Sequence, residues 1–245
     1  MKQIQFEILK KVQFNHWWYQ GRSFVMKAVL ERFDINLNGK IIADLGCGYG
    51  VNYVFYKDHM KNTFFLDSNK EALKFIKNDL NADNIIFWKS PEPVEQKFDF
   101  IFMTDVLEHI DDDIKAVKWI YDHLKPGGKA LLTMPAHQYL WTQMDSSVHH
   151  KRRYSYNQLR TIFNKFSITF ISYYNFLLFP LKIIALIHDK IMTYFGFNTE
   201  SFQTKTPIAF VNKTLKMISF VESKIIKKTT LPYGAGLIIL LQKND

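Results

Sequence analysis

The sequence predicts an α/β protein built on a doubly wound, mostly parallel sheet of seven strands. Three observations carry that prediction. Apolar strand-like runs alternate with helix-like segments along 245 residues. One run, Ile41-Ile-Ala-Asp-Leu45, leads straight into Gly46-Cys-Gly-Tyr-Gly50. A second, Thr63-Phe-Phe-Leu-Asp67, ends in a carboxylate 21 residues after Gly46. Glycine lets a backbone turn through positive φ and approach a ligand closely. A strand, a glycine loop and a helix in that order open the nucleotide-cradling half of such sheets, and an acid at the end of the next strand suits ribose hydroxyls.

Composition narrows the setting. Hydrophobic residues make up 47% of the chain, enough for one large core. A single cysteine, Cys47, excludes an intrachain disulfide framework and fits a reducing, cytoplasmic compartment. Between two glycines it reads as a small filler, not a nucleophile. The opening residues lack a signal-peptide pattern. A net charge of +9 suits nucleic acid, an anionic membrane surface or an acidic substrate. No nucleic-acid module stands out, so no nucleic-acid partner is expected, and no metal is expected either.

In chain order, residues 4–33 read as one or two amphipathic helices, giving an N-terminal helical cap over 1–36. The cofactor-binding core is expected over 37–176. After the first strand and a helix near 51–61 comes the strand ending at Asp67. Ser68-Asn-Lys-Glu71 reads as a capping box for the next helix. Further strands are expected at 85–88, 98–103, 129–134 and 166–172, with a helix over 114–124 stopped by Lys125-Pro-Gly-Gly128. Residues 136–154 read as a long loop, and long loops in compact domains tend to carry function. A helical insertion is expected over 177–230, with a polar linker at 198–207. Residues 231–245 hold the closing strand. The longest uncharged run is too short for the roughly 20 residues of a spanning helix.

These pieces stand in the order found in the class I S-adenosylmethionine-dependent methyltransferases, which the chain resembles over roughly residues 41–135. The resemblance is carried by Asp44-Leu-Gly-Cys-Gly-Tyr-Gly50 with Asp67 beyond it, by Phe98-Asp-Phe-Ile101 followed by Asp105-Val-Leu-Glu-His-Ile110, and by Leu124-Lys-Pro-Gly-Gly128 before a strand. The G-x-G-x-G spacing departs from the G-x-G-x-x-G of nicotinamide-binding proteins. The resemblance implies a Rossmann-like fold whose last strand is antiparallel. It implies S-adenosyl-L-methionine as cofactor, held by Asp44, Gly46, Cys47, Gly48, Asp67, Ser68, Ser90, Thr104 and Asp105, with Tyr19 and Arg22 reaching in from the cap. Ser90 stands where the family often places an acid against the adenine ring.

Acceptor contacts are expected from Trp18, Trp141, Arg152, Arg153 and Tyr154, because arginine forks suit carboxylate or phosphate. His109 and His150 are the candidate general bases, since imidazole titrates near neutrality. The expected function is in-line methyl transfer to a small-molecule acceptor, anionic or lipid-linked. The alternatives are a non-catalytic cofactor-binding module of the same fold and an RNA methyltransferase. The apolar and basic character of 177–230 also admits association with an anionic membrane surface, against the plainer reading of two helices packed on the protein. Composition says nothing of oligomeric state.

Overall fold

The computed structural model describes residues 12–197 and 206–244. The seven strands are β1 (Ile42–Leu45), β2 (Thr63–Asp67), β3 (Ile85–Phe87), β4 (Phe98–Thr104), β5 (Leu124–Pro135), β6 (Ser167–Tyr174) and β7 (Gly236–Gln242). They form one mixed sheet in the order β3-β2-β1-β4-β5-β7-β6. β1 pairs in parallel with β2 and β4, β2 with β3, and β4 with β5. The carboxyl ends of β1, β2 and β4 therefore lie along one edge. The order reverses beside β1, at the switch point where open sheets bind ligands. β1 is buried along its length, as expected of a strand covered on both faces.

The helices among the described residues are α1 (Trp17–Arg32), α2 (Tyr53–Tyr56), α3 (Lys70–Asp79), α4 (Asp113–His123), α5 (Gln143–Ser147), α6 (Tyr156–Ile162), α7 (Phe179–Tyr194) and α8 (Ala209–Ile226). By contact the chain divides into two compact units. One comprises residues 1–33, 135–155 and 172–237. The other comprises 34–134, 156–171 and 238–245, and every strand of the sheet contributes to it.

Several expectations are corrected. The helix expected near 51–61 is one turn, α2, followed by 3-10 turns over Lys57–Asn62 that break at His59 (φ −128°). The cap of α3 is Asn69, not Ser68: the Asn69 side-chain oxygen accepts from the N–H groups of Glu71 (3.0 Å) and Ala72 (3.3 Å). Asn69 has the extended backbone of an N-cap, and its side-chain oxygen reaches both donors. β5 begins at Leu124 rather than Lys129, with Lys125-Pro-Gly-Gly128 folded out as an irregularity opposite Phe98 and Phe100. Gly127 takes φ +67° there, and a Cβ on Gly128 would lie 2.8 Å from the Lys125 carbonyl. Residues 136–154 are not one loop: they hold a 3-10 turn, Gln138–Leu140, and α5. The helices expected within 177–230 are α7 and α8, and Pro180 sits in the first turn of α7. The polar linker expected at 198–207 falls largely outside the described residues, as does the first part of the N-terminal helical segment.

Within the first unit, α8 lies along α1. A Cβ on Gly21 would stand 2.7 Å from Ser219 Oγ, so the two helices approach closely where glycine has no side chain. Phe24 and Phe220 meet edge to face at 5.5 Å. The Trp17 N–H donates to Asn212 Oδ1 (2.9 Å), and Arg32 Nη1 donates to the carbonyls of Ile226 and Thr229. Glu222 of α8 accepts from the N–H groups of Asn175 and Leu177, which fixes the turn that launches α7. Burial raises its pKa against those bonds. α7 buries Leu186 with Leu140 and Ala235, flanked by Phe179 and Ile183.

Candidate functional site

The sheet-bearing unit assembles a glycine cradle. The N–H groups of Gly46 (2.7 Å) and Cys47 (3.3 Å) donate to the Leu66 carbonyl, tying the loop after β1 to the end of β2. The Gly48 N–H then donates to Asp67 Oδ2 at 2.8 Å, while Asp67 Oδ1 accepts from Asn69 N–H at 2.7 Å. Burial raises the Asp67 pKa; the backbone donors of Asn69, Gly48 and Ser68 pull the other way. Gly46 has φ +66°, and a Cβ there would stand 2.4 Å from Val106 Cγ2. Only glycine satisfies both constraints. The Cys47 thiol is buried, and burial together with Asp67 and Asp44 pushes its pKa well up. Its thiolate is disfavoured, which suits a filler.

Asp44 has no exposure, and its carboxylate is used inside the protein. Oδ1 accepts from Asn52 Nδ2 (3.0 Å), and Oδ2 accepts from the Tyr56 hydroxyl (2.7 Å). Asn52 Nδ2 also donates to Thr104 Oγ1 (2.9 Å), joining the ends of β1 and β4. Burial and the neighbouring Asp44 push the Tyr56 phenol far above its ordinary value. Sequence reading missed Asn52 and Tyr56. Asn52 stands at the N-cap of the single turn α2 and Tyr56 ends it, so the two bracket the turn directly after the loop.

Asp105, one residue beyond β4, has φ +52°, uncommon without glycine. It is held there by its N–H to the Thr133 carbonyl (2.9 Å) and by Thr133 Oγ1 donating to Asp105 Oδ1 (2.9 Å). Backbone strain of this kind gathers at ligand-binding positions. His109 ends the 3-10 turn Leu107–His109 that follows and is half-buried. Ser90 lies beyond β3, and its buried Oγ has no hydrogen-bond partner among the described residues.

Three observations test the fit of an adenosyl ligand. A Cβ on Gly48 would meet nothing within 4 Å, so open space adjoins the cradle. The unsatisfied Ser90 hydroxyl offers a donor and an acceptor in the loop expected to flank a base. Asp67 also retains capacity, because a carboxylate offers about four acceptor directions. The residues fit.

The other unit holds a second cluster, centred on Asp145, which sequence reading noted only as part of the long loop. Asp145 is 1% exposed. Its Oδ1 accepts from His150 Nδ1 (2.8 Å) and Arg153 Nε (2.9 Å), and its Oδ2 from Arg153 Nη2 (2.9 Å), Thr142 N–H (2.9 Å) and Thr142 Oγ1 (3.1 Å). Burial alone would raise its pKa, but the donors from His150 and Arg153 hold the carboxyl far below the usual range. The Thr142-x-x-Asp145 capping-box spacing was the available signal.

The Arg153 fork, expected to meet an acceptor, is instead closed on Asp145, and Nη1 donates to the Ala136 carbonyl (3.2 Å). Tyr154 is likewise buried, its N–H bonded to the Pro135 carbonyl and its carbonyl to the His137 N–H. Arg152 and Trp141 are half-buried, and Trp141 Nε1 donates to Ser146 Oγ (3.2 Å). Lys182 of α7 has its pKa pulled down to about 8 by burial and by Arg153, against Asp145 and Asp189. Trp18, Tyr19 and Arg22 ride on α1, capped by His16 Nδ1 accepting from the Trp18 N–H (3.2 Å). The Arg22 guanidinium lies 5.7 Å over the Tyr19 ring.

A family profile described as a methyltransferase domain matches residues 17–174. Phosphoethanolamine N-methyltransferase 2 of Caenorhabditis elegans is 28% identical over 149 residues, 52% of this chain and 34% of that protein. A tRNA U34 carboxymethyltransferase of Campylobacter curvus is 36% identical over 109 residues, 40% of this chain and 35% of that protein. The chain thus spans about a third of the length of these curated relatives. The crystal structure of a SAM dependent methyltransferase from Archaeoglobus fulgidus matches with a TM-score of 0.54 at 16% identity, covering 89% of this chain and 93% of that one. At that identity the likeness speaks for the fold.

Proposed function

This chain belongs to the class I S-adenosylmethionine-dependent methyltransferases, and we propose that it transfers the methyl group in line to a small acceptor that is anionic or lipid-linked. The observation that carries the donor half is the bond between Gly48 N–H and Asp67 at the carboxyl ends of two neighbouring parallel strands. In this reading Gly46, Cys47 and Gly48 present backbone to the amino-acid end of the donor. Asp67 accepts from the ribose, Ser90 lies against the base, and Thr104 and Asp105 flank the sulfonium side. Asp44 acts one step back, by holding Asn52 and Tyr56 beneath the loop. The donor supplies a methyl already activated by sulfonium charge. The residues therefore mainly align the partners and exclude water.

A base is needed only for an acceptor that carries a proton to lose. His109 follows β4 directly after Asp105. His150 has its Nδ1 bonded to Asp145, which holds the ring in one orientation. The small-acceptor reading draws on the phosphoethanolamine enzyme. An RNA acceptor is the second reading, favoured by the net charge of +9 and by the tRNA enzyme. Calorimetry with S-adenosylmethionine, its demethylated product and NAD tests the donor: binding of the first two and not the third is expected, and the reverse would sink the proposal. Labelled donor offered to a lipid extract, a polar-metabolite extract and bulk tRNA then separates the acceptors.

A further inference from the structure

We propose that the outer faces of α7 and α8 form a docking surface for an anionic lipid bilayer. Bilayer docking deepens the amphiphilic-acceptor reading above and rests on it only for its purpose.

α7 buries Leu186 and half-buries Phe179 and Ile183 on its inner side, yet it is apolar on the outer side as well. Leu181, Ile184, Ile187, Ile191 and Tyr194 follow one another at steps of three and four, and each is more than half exposed, Ile184 at 63%. That spacing places them on one stripe of the helix. α8 repeats the pattern. Its inner side packs on α1 through Ser219, and its outer side shows Phe210 (77% exposed), Met217 and Val221. Exposed apolar side chains aligned in this way mark interaction surfaces, whereas scattered single ones do not.

Charge selects the occupant. The two helices carry five lysines, Lys182, Lys190, Lys213, Lys216 and Lys224, against two carboxylates, Asp189 and Glu222. Both carboxylates accept from backbone N–H groups, Asp189 from Gln143 and Glu222 from Asn175 and Leu177. Lys190, Lys213 and Lys224 are exposed. An apolar stripe bordered by lysine is the pattern of a helix lying in a membrane interface, with side-chain stems in the headgroup layer and ammonium groups on lipid phosphates. Spanning is a separate matter: no described helix is long and apolar enough to cross a bilayer.

Flotation of the full chain with vesicles of phosphatidylcholine alone, or with about one-third phosphatidylglycerol, tests the surface. The chain is expected to float with the anionic vesicles, less so in high salt. Ile184→Glu with Phe210→Glu abolishes flotation. Lys213→Gln with Lys224→Gln lowers partition about thirtyfold, from about 1 kcal/mol per lysine at the surface. Calorimetry with the donor on the same samples reports that each variant is folded. A chain that binds donor but floats with neither vesicle overturns docking and leaves methyl transfer standing. A chain that floats but binds no donor leaves docking standing and removes the methyl-transfer reading. A lipid-free dimer by light scattering that Ile184→Glu dissociates would assign the stripe to a second copy and overturn the bilayer.

Discussion

His150 Nδ1 sits 2.8 Å from Asp145 Oδ1, and the same carboxylate closes the fork of Arg153. The imidazole is thereby fixed in orientation, and the hydrogen on Nδ1 is assigned by its acceptor. His150→Gln is expected to leave donor affinity unchanged while lowering turnover about 100- to 10,000-fold with a proton-bearing acceptor. His109→Gln measured in parallel decides between the two histidines, because only one of them should lower turnover to this extent.

Asp145→Ala leaves a buried guanidinium without its partner. Losing one member of a buried ion pair costs about 3–5 kcal/mol, so the melting temperature should fall by several degrees or more. The sign of the pH dependence follows from the depressed pKa of Asp145. The unfolded chain takes up the proton first, near the ordinary value of about 4. The stability from this group is whole above that value and declines as the pH falls below it. Asp145→Asn should flatten that part of the acid-denaturation curve; an unchanged curve would contradict the assignment.

If Asp67 holds the ribose as proposed, Asp67→Ala removes charged hydrogen bonds each worth about 1.5–3 kcal/mol. Donor affinity should fall about tenfold to 150-fold by calorimetry. The fold should survive, because the substitution also removes a carboxyl whose burial raises its pKa.

Gly46→Ala and Gly48→Ala should separate fold from binding. At Gly46 the new methyl meets Val106 at 2.4 Å in addition to strained φ, so thermal stability should drop, with partial recovery when Val106→Ala is added. At Gly48 the methyl enters open space, and only the φ of +51° counts, about 1 kcal/mol. Donor binding should suffer there more than stability does.

Lys182 titrates at about 8 against an ordinary 10.5. Between those values the unfolded chain holds a proton that the folded chain lacks, so stability rises with pH across that window. Lys182→Met should abolish the rise and raise the melting temperature below about pH 8, where burying the ammonium is unfavourable.

What could be read from the chain was whatever neighbouring residues decide among themselves. The strands ending at Leu45 and Asp67, the glycine turn and the helix ending before Pro126 each announce themselves within a few residues. The use of Asp44 did not, because its partners Asn52 and Tyr56 come into reach only once the loop has closed. Arg153 is legible as a fork, but its partner is hidden, because the five residues of Gln143–Ser147 are too few to show a helical period. The faces of α7 and α8 were ambiguous for another reason, since isoleucine and phenylalanine are written alike whether they meet protein or water.

The pairing of Gly21 with Ser219 joins the start of the chain to its last fifth. A ribosome adding about 5–20 residues per second completes α1 on the order of ten to forty seconds before α8 is made. Throughout that interval Gly21 and Phe24 stand without Ser219 and Phe220, the partners they meet in the finished protein.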